Sequence, residues 1–112
     1  MPEITWEDFE KVDVRVGRVV AAEPFPEARK PSIKLLVDFG PEVGEKSTSA
    51  QLTAHYDAEG LVGRQVIAVV NFPPKRIAGF KSEVLVLGVP DAAGEVVLLS
   101  PDREVQPGGR MF

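Results

Sequence analysis

No cysteine occurs in the 112 residues. That single absence removes disulfide frameworks, thiolate metal sites and cysteine nucleophiles together. Only one histidine is present, His55. Carboxylates with one histidine at no ligand-like spacing do not make a metal motif. There is no Gly-x-Ser-x-Gly elbow and no phosphate-binding loop, and the Gly108-Gly109 pair lies in a turn-rich tail rather than between a strand and a helix. His55 stands beside Tyr56, a pairing that reads as structural rather than catalytic. No apolar run approaches the roughly 20 residues needed to cross a bilayer. The acidic start MPEITWEDFEKVD lacks the basic-then-apolar layout of a leader. The expectation is a cytoplasmic protein that is not an enzyme, takes no cofactor or metal and does not insert into membranes.

One further absence is local. The chain carries a net charge of −4, yet no Asp or Glu occurs from Gly60 to Ser82. That segment holds Arg64, Lys75, Arg76 and Lys81, and a second basic cluster is formed by Arg29, Lys30 and Lys34. Acids gather elsewhere, at Glu3, Glu7, Asp8, Glu10 and Asp13 and at Glu42 and Glu45. Net charge alone argues against a nucleic-acid partner. Its distribution leaves room for one basic face, with scattered solvated charge as the alternative.

The length fits one domain spanning residues 1–112. Residues 5–10 predict a short helix, with Thr5 as N-cap, Asp8 completing a capping box, and Ile4 and Phe9 at the staple positions. A helix this short needs a partner surface, met through Ile4, Trp6 and Phe9. From Val12 the period becomes two, and Gly17 within that strand predicts a bulge or sharp coil. PFPEARKPS (24–32) is a loop by its three prolines. Alternation resumes over 33–39, GPEVGEK (40–46) is a turn, and STSAQLT (47–53) is a more polar strand. A helical turn or loop is expected over 54–63. Residues 65–72 and 84–89 are nearly continuous apolar runs, expected to be covered on both faces. DAAG (91–94) turns into a last strand, 95–100. The sum is all-β with short helices. An OB-fold, the five-stranded Greek-key barrel with a short N-terminal helix, matches best, with another small β-barrel as the alternative.

Between two of these apolar runs lies NFPPKRIAGFKSEVLVLG (71–88). Pro73-Pro74 cannot continue a sheet ladder, so the chain leaves the barrel there and returns by Val84. Lys75, Arg76 and Lys81 are then cations on an excursion anchored at both ends in core strands, suited to phosphate. Phe80 can stack on a base or pack on the barrel. Asn71 and Ser82 mark the ends of the excursion. A solvated loop plugged by Ile77 and Phe80 is the competing reading.

DFEKVDVRVGRVV, KPSIKLLVDFG, STSAQLT and NFPPKRIAGFKSEVLVLG together resemble the tRNA-binding OB domain family, over roughly residues 8–100. That family includes domains appended to some bacterial methionyl-tRNA synthetases and the secretion chaperones of the CsaA type. The likeness is greatest to the CsaA type, which shares Ser49-Ala50-Gln51 where the appended domains read Ser-Gly-Leu or Ser-Gly-Ile. The resemblance implies an OB-fold homodimer whose interface uses Ile4, Trp6, Phe9, Met111 and Phe112. It implies tRNA contacts from Asn71, Lys75, Arg76, Lys81 and Ser82, with Ser49 and Gln51 from the third strand; Lys30 and Lys34 are placed by charge, and Phe80 by its ring alone. The methyl of Ala50, where the appended domains have glycine, would restrict close approach of an RNA backbone. A second partner class is also implied: unfolded precursor proteins or peptides, held on apolar surface around Phe25, Phe72 and Phe80.

Overall fold

The computed structural model describes residues 1–112. Helix α1 (Trp6–Glu10) begins at the predicted cap. Thr5 Oγ1 accepts from the Asp8 N–H at 3.1 Å and Asp8 Oδ2 accepts from the Thr5 N–H at 3.1 Å, which closes the capping box. Strand β1 (Val14–Pro24) follows, starting two residues later than the alternation suggested and leaving Val12 exposed. The chain continues through β2 (Ile33–Asp38), α2 (Gly40–Val43), β3 (Glu45–Ala50), α3 (Ala58–Leu61) and β4 (Gln65–Val69). Then come β5 (Lys75–Ile77), β6 (Phe80–Ser82), β7 (Leu85–Val86), β8 (Gly88–Pro90) and β9 (Val96–Leu98). None of the helices is long and apolar enough to cross a membrane.

Five strands form the main sheet in the order β3-β2-β1-β4-β7, with every pairing antiparallel. The long strand β1 serves two neighbours: residues 14–18 pair with β4 and residues 18–24 with β2. Changing partner along one strand requires a bend, and the register slips between Val19 and Ala21. The bulge therefore sits at Val20 and not at the predicted Gly17. Gly17 answers a different need, close packing: a Cβ there would lie 2.5 Å from Val37 Cγ1 and 2.8 Å from the Phe39 ring.

The inward positions of β1, β2 and β4 supply a core of Val19, Ile33, Leu35, Val37 and Val66, joined by Phe39, Leu52, Leu61, Val84 and Leu98. Each such side chain contributes about 1.5–3 kcal/mol by burial. The two edges of the sheet meet where β3 approaches residues 83–84. The Glu83 N–H donates to Ser47 O at 2.8 Å, and the Thr48 hydroxyl, almost fully buried, donates to Val84 O at 2.7 Å. The result is a five-stranded, antiparallel, nearly closed barrel with three short helices, an OB-like fold.

Two expectations need correction. The apolar run 84–89 is not one strand covered on both faces. The chain passes from pairing with β4 to pairing with β9 at Gly88, where a Cβ would meet Val96 Cγ1 at 2.6 Å and Val97 O at 2.9 Å. Leu85 and Val89 are left about half exposed. The third strand begins at Glu45 and ends at Ala50, so Gln51 lies beyond it. The tail after β9 runs antiparallel beside the start of β1: Gly109 O accepts from the Val16 N–H at 3.0 Å and Val14 O from the Met111 N–H at 2.8 Å.

Candidate nucleic-acid interface

The excursion 71–82 is a β-hairpin. Lys75 pairs with Ser82, Arg76 with Lys81 and Ile77 with Phe80. Both turn residues have positive φ, Ala78 at 48° and Gly79 at 80°, the signature of a type I′ hairpin. Glycine adopts that region freely and alanine does not. Arg76 Nη1 donates to Gly79 O at 3.2 Å across the turn. Successive side chains of a strand point to opposite faces, so Lys75 lies on one face of the ribbon while Arg76 and Lys81 share the other.

Serine and threonine of β3 fasten this hairpin to the barrel. Ser47 Oγ donates to Lys81 O at 2.9 Å, and the Thr48 and Ser82 hydroxyls lie 3.0 Å apart. The polar run Ser47-Thr48-Ser49 thus has a structural reason as well as a place at the candidate site. Asn71, at the hairpin base, is held by backbone. Its Oδ1 accepts from the Asp13 N–H at 3.0 Å and its Nδ2 donates to Lys11 O at 2.7 Å, locking the α1–β1 junction to the end of β4.

The aromatic and basic residues near the hairpin divide into engaged and free. Phe25 is 2% exposed and meets Phe80 edge-on at 5.4 Å. The Lys34 ammonium lies over both rings, 4.6 Å from Phe25 and 4.9 Å from Phe80, and 4.0 Å from the Glu23 carboxylate. Phe25 therefore offers no surface to a peptide, because it is the inner layer of this stack, which joins the 25–32 loop to the hairpin. Phe72, by contrast, is 53% exposed.

Two adjoining hollows form a groove along the hairpin. One, about 340 Å³, is lined by Phe72, Lys75, Ile77, Ser82 and Ser49 among others. The next, about 310 Å³, shares Ser49 and Ile77 and adds Gln51, Arg29 and Lys30. The structure so brings together Lys30, Ser49, Gln51, Lys75 and Ser82, while Asn71, Lys34 and Phe80 are occupied by neighbours. Arg29 and Ile77 complete the groove. Arg29 was legible as part of the basic cluster, and Ile77 had read as a plug.

Electrostatics distinguish the hairpin and the 25–32 loop from the rest of the surface. Lys11, Arg15, Arg18, Lys34, Lys46, Arg103 and Arg110 each have a carboxylate within 4.0 Å. Arg64 lies over the Tyr56 ring. The remaining cations, Arg29, Lys30, Lys75, Arg76 and Lys81, have no acidic partner within that distance. Those five are the cations of the hairpin and the 25–32 loop. Glu83 also lines the groove, but its carboxylate is 3.7 Å from Lys46 Nζ and 3.4 Å from Ser47 Oγ.

A second surface lies at the termini. Ile4, Trp6, Phe9 and Phe112 line one hollow, and Trp6, Phe9, Val12, Met111 and Phe112 line its neighbour. Phe112 is fully exposed and Trp6 is 77% exposed. The frame beneath them is ionic. Asp13 accepts from Arg15 Nε at 2.6 Å and stands 3.6 Å from Arg110 Nε, while Arg110 Nη2 donates to Glu10 O at 2.6 Å. The hydrogen bond from Arg15, then the charges of Arg15 and Arg110, hold the Asp13 carboxyl below its usual range against the opposing effect of burial. The hydrogen bonds to Asp13 and Glu42 push Arg15 up in turn.

His55 Nε2 lies 2.6 Å from Asp91 Oδ2 and pins the 53–57 segment to the 91–94 turn. This bond, followed by the Glu95 N–H, lowers the Asp91 carboxyl.

Comparison with known proteins gives a consistent picture. The tRNA binding domain model matches residues 14–110. The crystal structure of chaperone CsaA from Bacillus anthracis is 54% identical, with a TM-score of 0.92 over 99% of this chain and 100% of that one. The CsaA chaperone protein from Picrophilus torridus is 48% identical, with a TM-score of 0.91 over 98% of this chain and 100% of that one. The methionine–tRNA ligase of Methanosarcina acetivorans is 36% identical over 111 residues, 99% of this chain and 15% of the ligase. The chain thus spans about 15% of the length of that curated relative.

Proposed function

The chain belongs to the tRNA binding domain family, as a CsaA-type member, and from that premise we propose that it binds tRNA by laying phosphates along the hairpin groove. One observation carries the reading: the five cations of the hairpin and the 25–32 loop are those left without an acid or an aromatic partner. Unneutralised cations on a rigid frame are what phosphate recognition needs, and such contacts position RNA without reading its sequence. The role is that of a cytoplasmic binding protein rather than a catalyst. The experiment is a tRNA titration at several salt concentrations. Affinity that falls steeply with salt supports the groove, and affinity indifferent to salt refutes it.

The binding unit in this reading is a homodimer. Support comes from the apolar hollows at the termini, whose exposed Ile4, Trp6, Met111 and Phe112 a second copy would cover. Sedimentation at micromolar concentration should give a dimer, and Trp6→Ser should shift it toward monomer. A wild-type monomer would remove this part of the reading.

A second reading has the protein holding unfolded export precursors, as the name chaperone given to two structural relatives suggests. The exposed apolar side chains Phe72, Leu85 and Val89 favour it. Competition between tRNA and an unfolded precursor on one preparation separates the two, since apolar binding does not weaken as salt rises.

A further inference from the structure

We propose that the Phe72 ring is the stacking platform for one unpaired base, so that the groove takes a single-stranded nucleotide step rather than a continuous duplex. The inference rests on the RNA-binding reading and sharpens it. Phe80 is the ring that its place between two hairpin cations would first suggest. That ring meets Phe25 edge-on and lies under Lys34, and the hollow of about 270 Å³ that it borders is a separate one, shared with Glu23 and Ser47 and with no unpaired cation. Phe72 has the opposite character. It is 53% exposed, it takes part in no aromatic pair or cation–π contact, and its backbone is stiffened by Pro73-Pro74 immediately after it. A rigid, half-exposed ring beside a cation is the arrangement used to hold unstacked bases.

The hollow in front of Phe72, about 340 Å³, contains the other groups a nucleotide needs. Lys75 has no acidic partner and can reach a phosphate. The Ser49 hydroxyl has no side-chain or backbone partner in the protein, and it faces the hollow beside Ser82, so it can donate to or accept from a base edge or a ribose hydroxyl. Glu83 is the one acid lining the hollow, and Lys46 and Ser47 hold its carboxylate. Ring, hydroxyl and cation line one hollow and offer a partner each for base, sugar and phosphate. A duplex keeps its bases stacked in the helix and cannot place one flat on Phe72.

The test uses the full chain with two probes of one sequence, a single-stranded RNA heptamer bearing a central 2-aminopurine and the blunt duplex made from it. With wild-type protein, the 2-aminopurine emission should change on binding. Phe72→Ala should weaken heptamer binding about five- to 150-fold and abolish the emission change, the range expected for one base–aromatic stack. Phe72→Tyr should retain both, and duplex affinity should move less than about twofold in either variant. Unchanged thermal unfolding of Phe72→Ala establishes that the loss is local. A folded Phe72→Ala that binds the heptamer as tightly as wild type, or that loses heptamer and duplex equally, overturns the proposal. So does a Phe72→Ala that loses an apolar unfolded peptide and keeps the heptamer. A wild-type protein that binds neither RNA at low salt refutes the RNA reading as a whole. A steep salt dependence that survives while Phe72→Ala is silent refutes only the stacking platform.

Discussion

Replacing Lys75, Arg76 and Lys81 together by alanine tests the hairpin as the phosphate grip on a scale the structure sets. Five cations lack a carboxylate partner: Arg29, Lys30 and Lys75 line the groove, and Arg76 and Lys81 stand on the opposite face of the same hairpin. If each neutralises one phosphate, the log–log slope of affinity against salt is about 3.5–4.5 per protomer. A fourfold rise in salt, from about 50 to about 200 mM, would then weaken binding roughly 130- to 500-fold. Removing three contacts leaves Arg29 and Lys30, a slope of about 1.4–1.8, and a loss of only about 7- to 12-fold over the same range. The variant should remain folded, because all three side chains are exposed and none forms an ion pair. Surface changes of that kind stay within about 0.5 kcal/mol each. The assay is a tRNA titration at four or five salt concentrations, with thermal unfolding as the control. A folded triple variant with the wild-type slope would mean that phosphate is gripped elsewhere, and the assignment of the groove would fall.

Lys34→Met should lower stability by about 1 kcal/mol through loss of two cation–π contacts, while Lys34→Arg should restore most of it. The salt slope should not move in either variant, because Lys34 is held by Phe25, Phe80 and Glu23 rather than free for phosphate; a slope lower by about 0.7–0.9 would make it a direct contact. Ala78→Asn should raise the urea midpoint by an amount equivalent to about 0.5–1 kcal/mol, since asparagine tolerates the left-handed region that alanine occupies at φ 48°. Asp13 gives a pH dependence with a definite sign. Its folded carboxyl is held low, chiefly by Arg15, so its stabilisation is complete above the ordinary aspartate value of about 3.9 and disappears as pH falls through the lower folded value. Thermal unfolding of wild type and Asp13→Asn should therefore differ at neutral pH and converge in acid, and a gap that stays constant with pH would exclude the carboxylate as its source.

How much of this could be read beforehand depended on how far apart the interacting residues lie. The capping box of α1 was legible because Thr5, Asp8, Ile4 and Phe9 fall within one turn. The alternation of β2 was legible because one wet face gives period two. The hairpin was placed correctly by Pro73-Pro74 but not recognised as a hairpin, because its turn is Ala78-Gly79 rather than Asn-Gly. Gly17 gave a true signal with the wrong cause: the demand comes from Val37 and Phe39, twenty and more residues away, and the bend itself falls at Val20. The three phenylalanines look alike in sequence. Only the meeting of the 25–32 loop with the hairpin buries Phe25, engages Phe80 and leaves Phe72 exposed. The family resemblance assigns Asn71 to tRNA, and nothing in the sequence signals that its amide also bridges Asp13 and Lys11.

The same distinction resolves the puzzle of an acidic protein with a phosphate-sized basic groove. Net charge sums over all groups and ignores pairing. Asp13, Glu23, Glu42, Glu83 and Glu104 each lie against an arginine or lysine that organises the fold, so those charges cancel locally. What a phosphate encounters is set by the charges within about 10 Å of it, since salt screens the rest, and the molecule extends 40 × 35 × 30 Å. The hairpin and the 25–32 loop present five cations with no acid within 4.0 Å, and the acid that lines the groove, Glu83, is tethered by Lys46 and Ser47. An overall charge of −4 then slows non-specific encounter without weakening the groove. Changing a distant acid, such as Glu3→Gln, should accordingly leave tRNA affinity at physiological salt unaltered, whereas Glu27→Gln, inside the screening length of Arg29, should tighten it.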